Sequence, residues 1–182
     1  MIDGMTQWFM IRGTGTVLIA LLTLSTAMGV MSTARAGNAA WPRFATQALH
    51  RNVSLLTMAM LGAHILLSVT DRAVTIRWYE VLVPTTGAYH GFWLWFGTFA
   101  TDLMLAVVVT SLLRHRMSHR FWRGLHVSAY LSWGFGLLHG IGIGTDNTTS
   151  WEMAVTVASV GVVAAVGVVR LATLNHERKL AS

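Results

Sequence analysis

Four stretches of this chain carry no Asp, Glu, Lys or Arg: residues 13–34, 52–70, 124–145 and 153–169, of 22, 19, 22 and 17 residues. A fifth, 91–113, is broken only by Asp102. A helix needs about 20 mostly apolar residues to cross the hydrocarbon of a bilayer. Lipid accepts only helices and closed barrels, because an unpaired backbone group there costs several kcal/mol. The windows therefore predict an all-α membrane protein, a five-transmembrane-helix bundle with spans over about 14–33, 48–70, 91–113, 122–144 and 152–173. The charged fraction of 11%, against about 25% in soluble domains, leaves too little charge to clothe a water-facing surface. The 182 residues read as a single transmembrane domain, with no internal repeat and no room after the last span for a nucleotide- or flavin-binding domain. Ala34-Arg35-Ala36 resembles the end of a signal peptide, but the preceding apolar stretch is read as the first span.

The basic residues orient the bundle. Arg35, Arg43 and Arg51, then Arg114, Arg116, Arg120 and Arg123, then Arg170, Arg178 and Lys179 all fall on one side, leaving Arg12, Arg72 and Arg77 for the other. The positive-inside rule places the larger set in the cytoplasm, so the N-terminus is expected outside and the C-terminus inside. Asp3, Asp71, Glu80, Asp146 and Glu152 then lie outside. The isoelectric point of 11.1 is thus accounted for by topology, without nucleic acid. Residues 1–12, with Trp8 and Phe9, are expected to lie along the outer interface.

Polar groups inside a bilayer are costly and are functional candidates by default. His50 and His64 fall on the second span, His126 and His139 on the fourth. Both spans run outward, so His50 and His126 share an inner depth and His64 and His139 an outer one. The spacings of 14 and 13 residues correspond to rises of about 21 and 19.5 Å. Fourteen residues return to within about 40° of one helix face, whereas thirteen fall about 140° away, a misfit that a bend at Gly134 or Gly136 would relieve.

A lone membrane histidine is often hydrogen-bonding glue between helices; four at two depths ask for more. The chain has no cysteine, which excludes iron–sulfur clusters, thiolate-ligated haem and covalent haem attachment. Zinc and copper want three or four ligands in a compact shell, and all four histidines cannot reach one ion. Haem needs two axial ligands on opposite faces, and helix-bundle cores hold such cofactors. Gly62, Gly136, Gly140, Gly142 and Gly144 would give a flat ring room. Arg43, Arg51 and Arg123 inside, and Arg72 or Arg77 outside, are candidate partners for haem propionates. Asp102 reads either as a proton relay or as a neutral acid bonded to a neighbouring helix; the second is favoured because hydroxyls such as Thr98 and Thr101 offer local partners. His90 is read as a loop residue on the outer face.

His50-Arg51-Asn52 with His64 fourteen later, then Trp122-Arg123-x-x-His126 with His139 thirteen later, resembles the ferric reductase-like transmembrane domain. That superfamily includes NADPH oxidases, metalloreductases and the bacterial haem-binding subunit MsrQ. The resemblance covers essentially the whole hydrophobic chain. It implies two b-type haems (haem b, two per chain) stacked across the membrane, the inner one held by His50 and His126 and the outer by His64 and His139. This chain lacks the oxidases' first helix and their flavin and nicotinamide domain.

The expected function is transmembrane electron transfer from a cytoplasmic-side donor, a separate flavoprotein or quinol, to an outer-side acceptor such as ferric iron, oxygen or a partner redox protein. That would make the chain a ferric reductase-like oxidoreductase, or its electron-transfer subunit, in a bacterial plasma membrane. Two other readings stay open at this point. One is a quinol-linked cytochrome b subunit of a larger respiratory or methionine-sulfoxide repair complex. The other is a haem-free transporter or assembly protein whose histidines merely pack.

Overall fold

The computed structural model describes residues 3–33, 42–84, 89–144 and 150–181. Arg35, Asp146 and the signal-like Ala34-Arg35-Ala36 lie outside them. Six α-helices follow in order: α1 (Gly4–Thr33), α2 (Arg43–Val69), α3 (Gly91–Leu112), α4 (His119–Val127), α5 (Ala129–Ile143) and α6 (Ser150–Ala181), with short 3-10 turns at Trp78–Val81 and Arg114–Arg116. No strand occurs among the described residues. Four of the helices, α1, α2, α3 and α6, are long and apolar enough to cross a membrane. Their many exposed Leu, Val and Phe side chains, Leu66 and Val168 among them, suit a lipid solvent, since such a surface in water would be an aggregation site.

The fourth expected span is not one helix. It is delivered as α4 and α5, which meet at Ser128. The Ser128 N–H bonds back to the Leu125 carbonyl at 3.0 Å, a three-residue 3-10 closure, and its hydroxyl donates to the same carbonyl at 2.7 Å. Gly134 lies within unbroken α5, so the discontinuity sits between the two histidines but not at the glycines. A 3-10 step turns about 120° where an α step turns 100°, which relieves part of the 140° misfit.

The expected interfacial segment 1–12 also differs. From Gly4 onward it continues into the first span as one helix, with the Asp3 carboxylate accepting from the Thr6 N–H at 2.8 Å and from its hydroxyl at 2.7 Å. That charge-assisted capping holds the Asp3 carboxyl below the usual carboxylate range.

The residues group into two compact units. The first comprises Met1–Ile19 with Met60–Asn147, and the second Ala20–Ala59 with Thr148–Ser182. In the first, α3 packs chiefly along α5. Phe96 and Phe99 flank Phe135 at 5.7 and 6.1 Å between ring centroids. Fully buried Ser132 donates to the Ala100 carbonyl at 2.8 Å, and Trp93 lies so close to Gly142 that no side chain fits there. The Trp78–Val81 turn is tied to α3 by the Thr98 hydroxyl, which donates to the Glu80 carbonyl at 2.7 Å. Thr98 is thus committed to this turn, not to Asp102. In the second unit the Ser25 and Ser54 hydroxyls bond at 2.8 Å between α1 and α2.

Candidate functional site

Each of the four histidines is only partly exposed, and each has Nδ1 turned onto an oxygen of a neighbouring helix. In the second unit, His50 Nδ1 lies 3.0 Å from the Ser25 carbonyl and 3.4 Å from the Ser25 hydroxyl. In the first, His139 Nδ1 lies 3.0 Å from the Trp93 carbonyl. His64 Nδ1 lies 3.3 Å from the Thr14 hydroxyl, with the Ile11 backbone beside the ring. His126 Nδ1 lies 3.3 Å from the Ser111 hydroxyl, and the Trp122 ring stacks on the imidazole at 4.9 Å and 26°. His64 and His139, paired by depth in the sequence, are close enough to interact electrostatically. His126 belongs to the first unit and His50 to the second.

A carbonyl oxygen can only accept, so His50 and His139 carry their proton on Nδ1. The lone pair of the neutral ring is then on Nε2.

Three of these rings share one device. The backbone they adjoin is that of Ile11, Ser25 and Trp93, and four residues beyond each stands a glycine: Gly15, Gly29 and Gly97. A Cβ at Gly97 would lie 2.7 Å from both Cε1 and Nδ1 of His139; one at Gly15 would lie 3.2 Å from Cε1 of His64; one at Gly29 would lie 3.7 Å from Cε1 of His50. A helical carbonyl spends one lone pair on the N–H four residues on and keeps a second. The side chain at that fourth residue overhangs it. Removing that side chain opens a notch through which an imidazole reaches the carbonyl. A mid-helix glycine costs about 1 kcal/mol against alanine, and the notch is what offsets that cost here.

Sequence reasoning missed these partners and weighed other glycines. A Cβ at Gly62 or Gly140 would meet nothing within 4 Å among the described residues. One signal was available: Ile11 and Ser25 are fourteen apart, as are Gly15 and Gly29, matching the fourteen between His50 and His64.

Comparison of the chain with protein-family models, curated proteins and solved structures returns no match.

Of the candidate cations, Arg51 and Arg123 are exposed, as are Arg72 and Arg77, while the Arg43 side chain lies outside the described residues. Arg77 has a local partner: its guanidinium donates to the Tyr79 hydroxyl at 2.6 Å, and this bond, with the charges of Tyr79 and Glu80, raises it further above its ordinary range. His90 is exposed and left-handed, at φ 41°, where its carbonyl accepts the Trp93 and Leu94 N–H groups that open α3. Arg114, His115, Arg116, His119 and Arg120 form an exposed basic surface on the 3-10 turn and the start of α4. Among the described residues no group of three or more His, Cys, Asp and Glu gathers as a compact metal shell.

Proposed function

We propose that this chain is a transmembrane electron conduit of the ferric reductase-like kind, with the N-terminus outside a bacterial plasma membrane. His50 and His126 hold an inner b haem and His64 and His139 an outer one. The observation that carries this reading is the common orientation of the four imidazoles. Histidines that merely pack have no reason to engage the same ring nitrogen four times. Histidines that would hold a haem iron do: a bond at Nδ1 to an oxygen sets the tautomer, aims Nε2 and raises its basicity toward a metal. The donor set fits haem, since two opposed imidazoles suffice for it and zinc or copper want a fuller shell.

When bound, haem supplies one-electron exchange at its iron. The chain's own residues do the rest. The notches hold the His50, His64 and His139 rings against a helix backbone, so that little conformational freedom remains to be lost on ligation. The apolar helices exclude water from the ligands. The exposed arginines of the Arg114–Arg116 turn and α4 present a positive surface on the cytoplasmic side, where a separate flavoprotein or quinol donor delivers electrons for an outer-side acceptor.

Purified protein is expected to contain two b haems per chain by pyridine haemochrome. Both should be low-spin and extractable with acid acetone, and after reduction they should be reoxidised by a membrane-impermeant ferric chelate. A count of zero, or haem that resists extraction, overturns the proposal.

A further inference from the structure

Arg114, Arg116, Arg120 and Arg123 fall within ten residues, and all four are exposed. The chain holds no Asp or Glu from residue 103 to residue 145. Among the described residues no hydrogen bond or ion pair engages these four guanidinium groups. A positive surface without carboxylates of its own needs anions from elsewhere.

Helix α3 is long and apolar enough to cross a membrane and ends at Leu112. The Ser111 hydroxyl lies 3.3 Å from His126 Nδ1, so that residue of α4 stands level with the end of the span. Counting back along α4, Arg123 lies up to about 4.5 Å beyond it and Arg120 up to about 9 Å. The headgroup layer is about 5–8 Å thick on each side, so both guanidinium groups reach the depth of lipid phosphates.

In the other direction the same face turns apolar. Arg120, Arg123, Val127 and Leu131 follow at intervals of three, four and four residues, the spacing of one helix face. Val127 and Leu131 are half or more exposed, as is Phe121 beside Arg120. Cations toward the water and bare apolar side chains toward the bilayer centre match a phospholipid, phosphate at one end and acyl chain at the other. A soluble acidic protein would use the arginines and leave Val127 and Leu131 uncovered.

We propose that the face carrying Arg120, Arg123, Val127 and Leu131 binds an anionic phospholipid of the leaflet around it. Guanidinium forks grip a phosphate through paired hydrogen bonds. An anionic headgroup is preferred to a zwitterionic one because no ammonium group cancels its charge. This holds whether or not the chain carries haem, provided that α3 crosses a membrane. The rest of the basic surface remains for the electron donor.

The chain has no cysteine, and a Cβ at Gly124 would meet nothing within 4 Å among the described residues. Gly124→Cys therefore takes a fluorophore beside Arg123. The purified full chain carrying it is reconstituted in phosphatidylcholine vesicles that contain, at the same share, either brominated phosphatidylglycerol or brominated phosphatidylcholine. Quenching is expected to be stronger with brominated phosphatidylglycerol. A basic residue near the surface gives about a fivefold preference for anionic lipid. Arg120→Gln and Arg123→Gln should thus each lower the preference about fivefold, and together roughly 25-fold.

Equal quenching by the two lipids leaves the arginines to a soluble acidic partner and overturns the proposal. Quenching by neither puts α4 outside the headgroup layer and overturns it as well. A preference that survives both substitutions places the lipid elsewhere on the chain, with the same result. Inorganic phosphate, against chloride at equal ionic strength, should leave the preference intact; its loss to phosphate alone marks a free-anion site and overturns the lipid. If the double variant does not fold, the single variants decide: about a fivefold drop in either supports the site, and no change in both overturns it.

Discussion

The three notch glycines are not equivalent, and their distances rank them. Gly97→Ala puts a methyl group 2.7 Å from the His139 ring, inside any tolerable contact, and the ring abuts α3 backbone with nowhere to yield. Overpacking of this kind costs about 1–3 kcal/mol, roughly a tenfold to hundredfold loss of outer-haem retention. Gly15→Ala, at 3.2 Å, should cost less, and Gly29→Ala, at 3.7 Å, should be nearly silent because that is an ordinary van der Waals separation. Haem dissociation constants of the three variants test the order 97, 15, 29. An equal effect at all three would mean that helix flexibility, not the missing Cβ, sets retention. The same rings explain why the choice of atoms matters: a leucine in place of histidine would fill the same space and offer no nitrogen to be aimed.

Elements carry the rest of the geometry. The Trp78–Val81 turn is held to α3 by Thr98, buried and donating to the Glu80 carbonyl. Thr98→Val removes the donor and leaves that carbonyl with one partner fewer, a cost of about 1 kcal/mol. Hydrogen exchange should quicken across residues 77–82 while the haem count holds at its unaltered value; if exchange there is unchanged, the turn is held by something else. The break between α4 and α5 is likewise an element-level fact. Its 3-10 closure at Ser128 lies two residues past His126, so each histidine of this span is carried by its own helix. The sequence reading expected one continuous span, with any tightening or bend at Gly134 or Gly136. It misplaced the bend because a serine that bonds back to its own helix is a quieter signal than a pair of glycines. Helix α1, by contrast, is longer than its charge-free window. Thirty residues span about 45 Å against a hydrocarbon core of about 30 Å, long enough to cross with tilt or to extend past one face.

For the whole molecule the prediction is one of sidedness. The chain has no cysteine, so any introduced thiol is unique. On the proposed orientation, exposed Trp78 and Met5 belong to the outer side and exposed Arg116 to the inner. Trp78→Cys and Met5→Cys should label with an impermeant maleimide in intact cells, and Arg116→Cys only after lysis. The reverse pattern would exchange the donor and acceptor faces. The haems provide a second test at this scale. His64→Ala and His139→Ala should remove the same haem, and His50→Ala and His126→Ala the other, because axial ligands must face one another across one ring. Matching spectra for His50→Ala and His139→Ala would show the ligands to be crossed.

Hydropathy and charge are local properties of the chain, and they were enough to place the apolar windows on α1, α2, α3 and α6 and to single out four histidines. These follow from the sequence because a bilayer acts on each residue through its transfer free energy, whatever its neighbours. The partners of the imidazoles could not be read that way. Every residue has a carbonyl, so nothing in the identities of Ser25 or Trp93 marks theirs as acceptors. Helix pairing selects them, and a glycine four residues on makes the selected carbonyl reachable. That is also why Gly97 matters here and Gly62 and Gly140 do not: a missing Cβ has meaning only when another helix brings a ring against it.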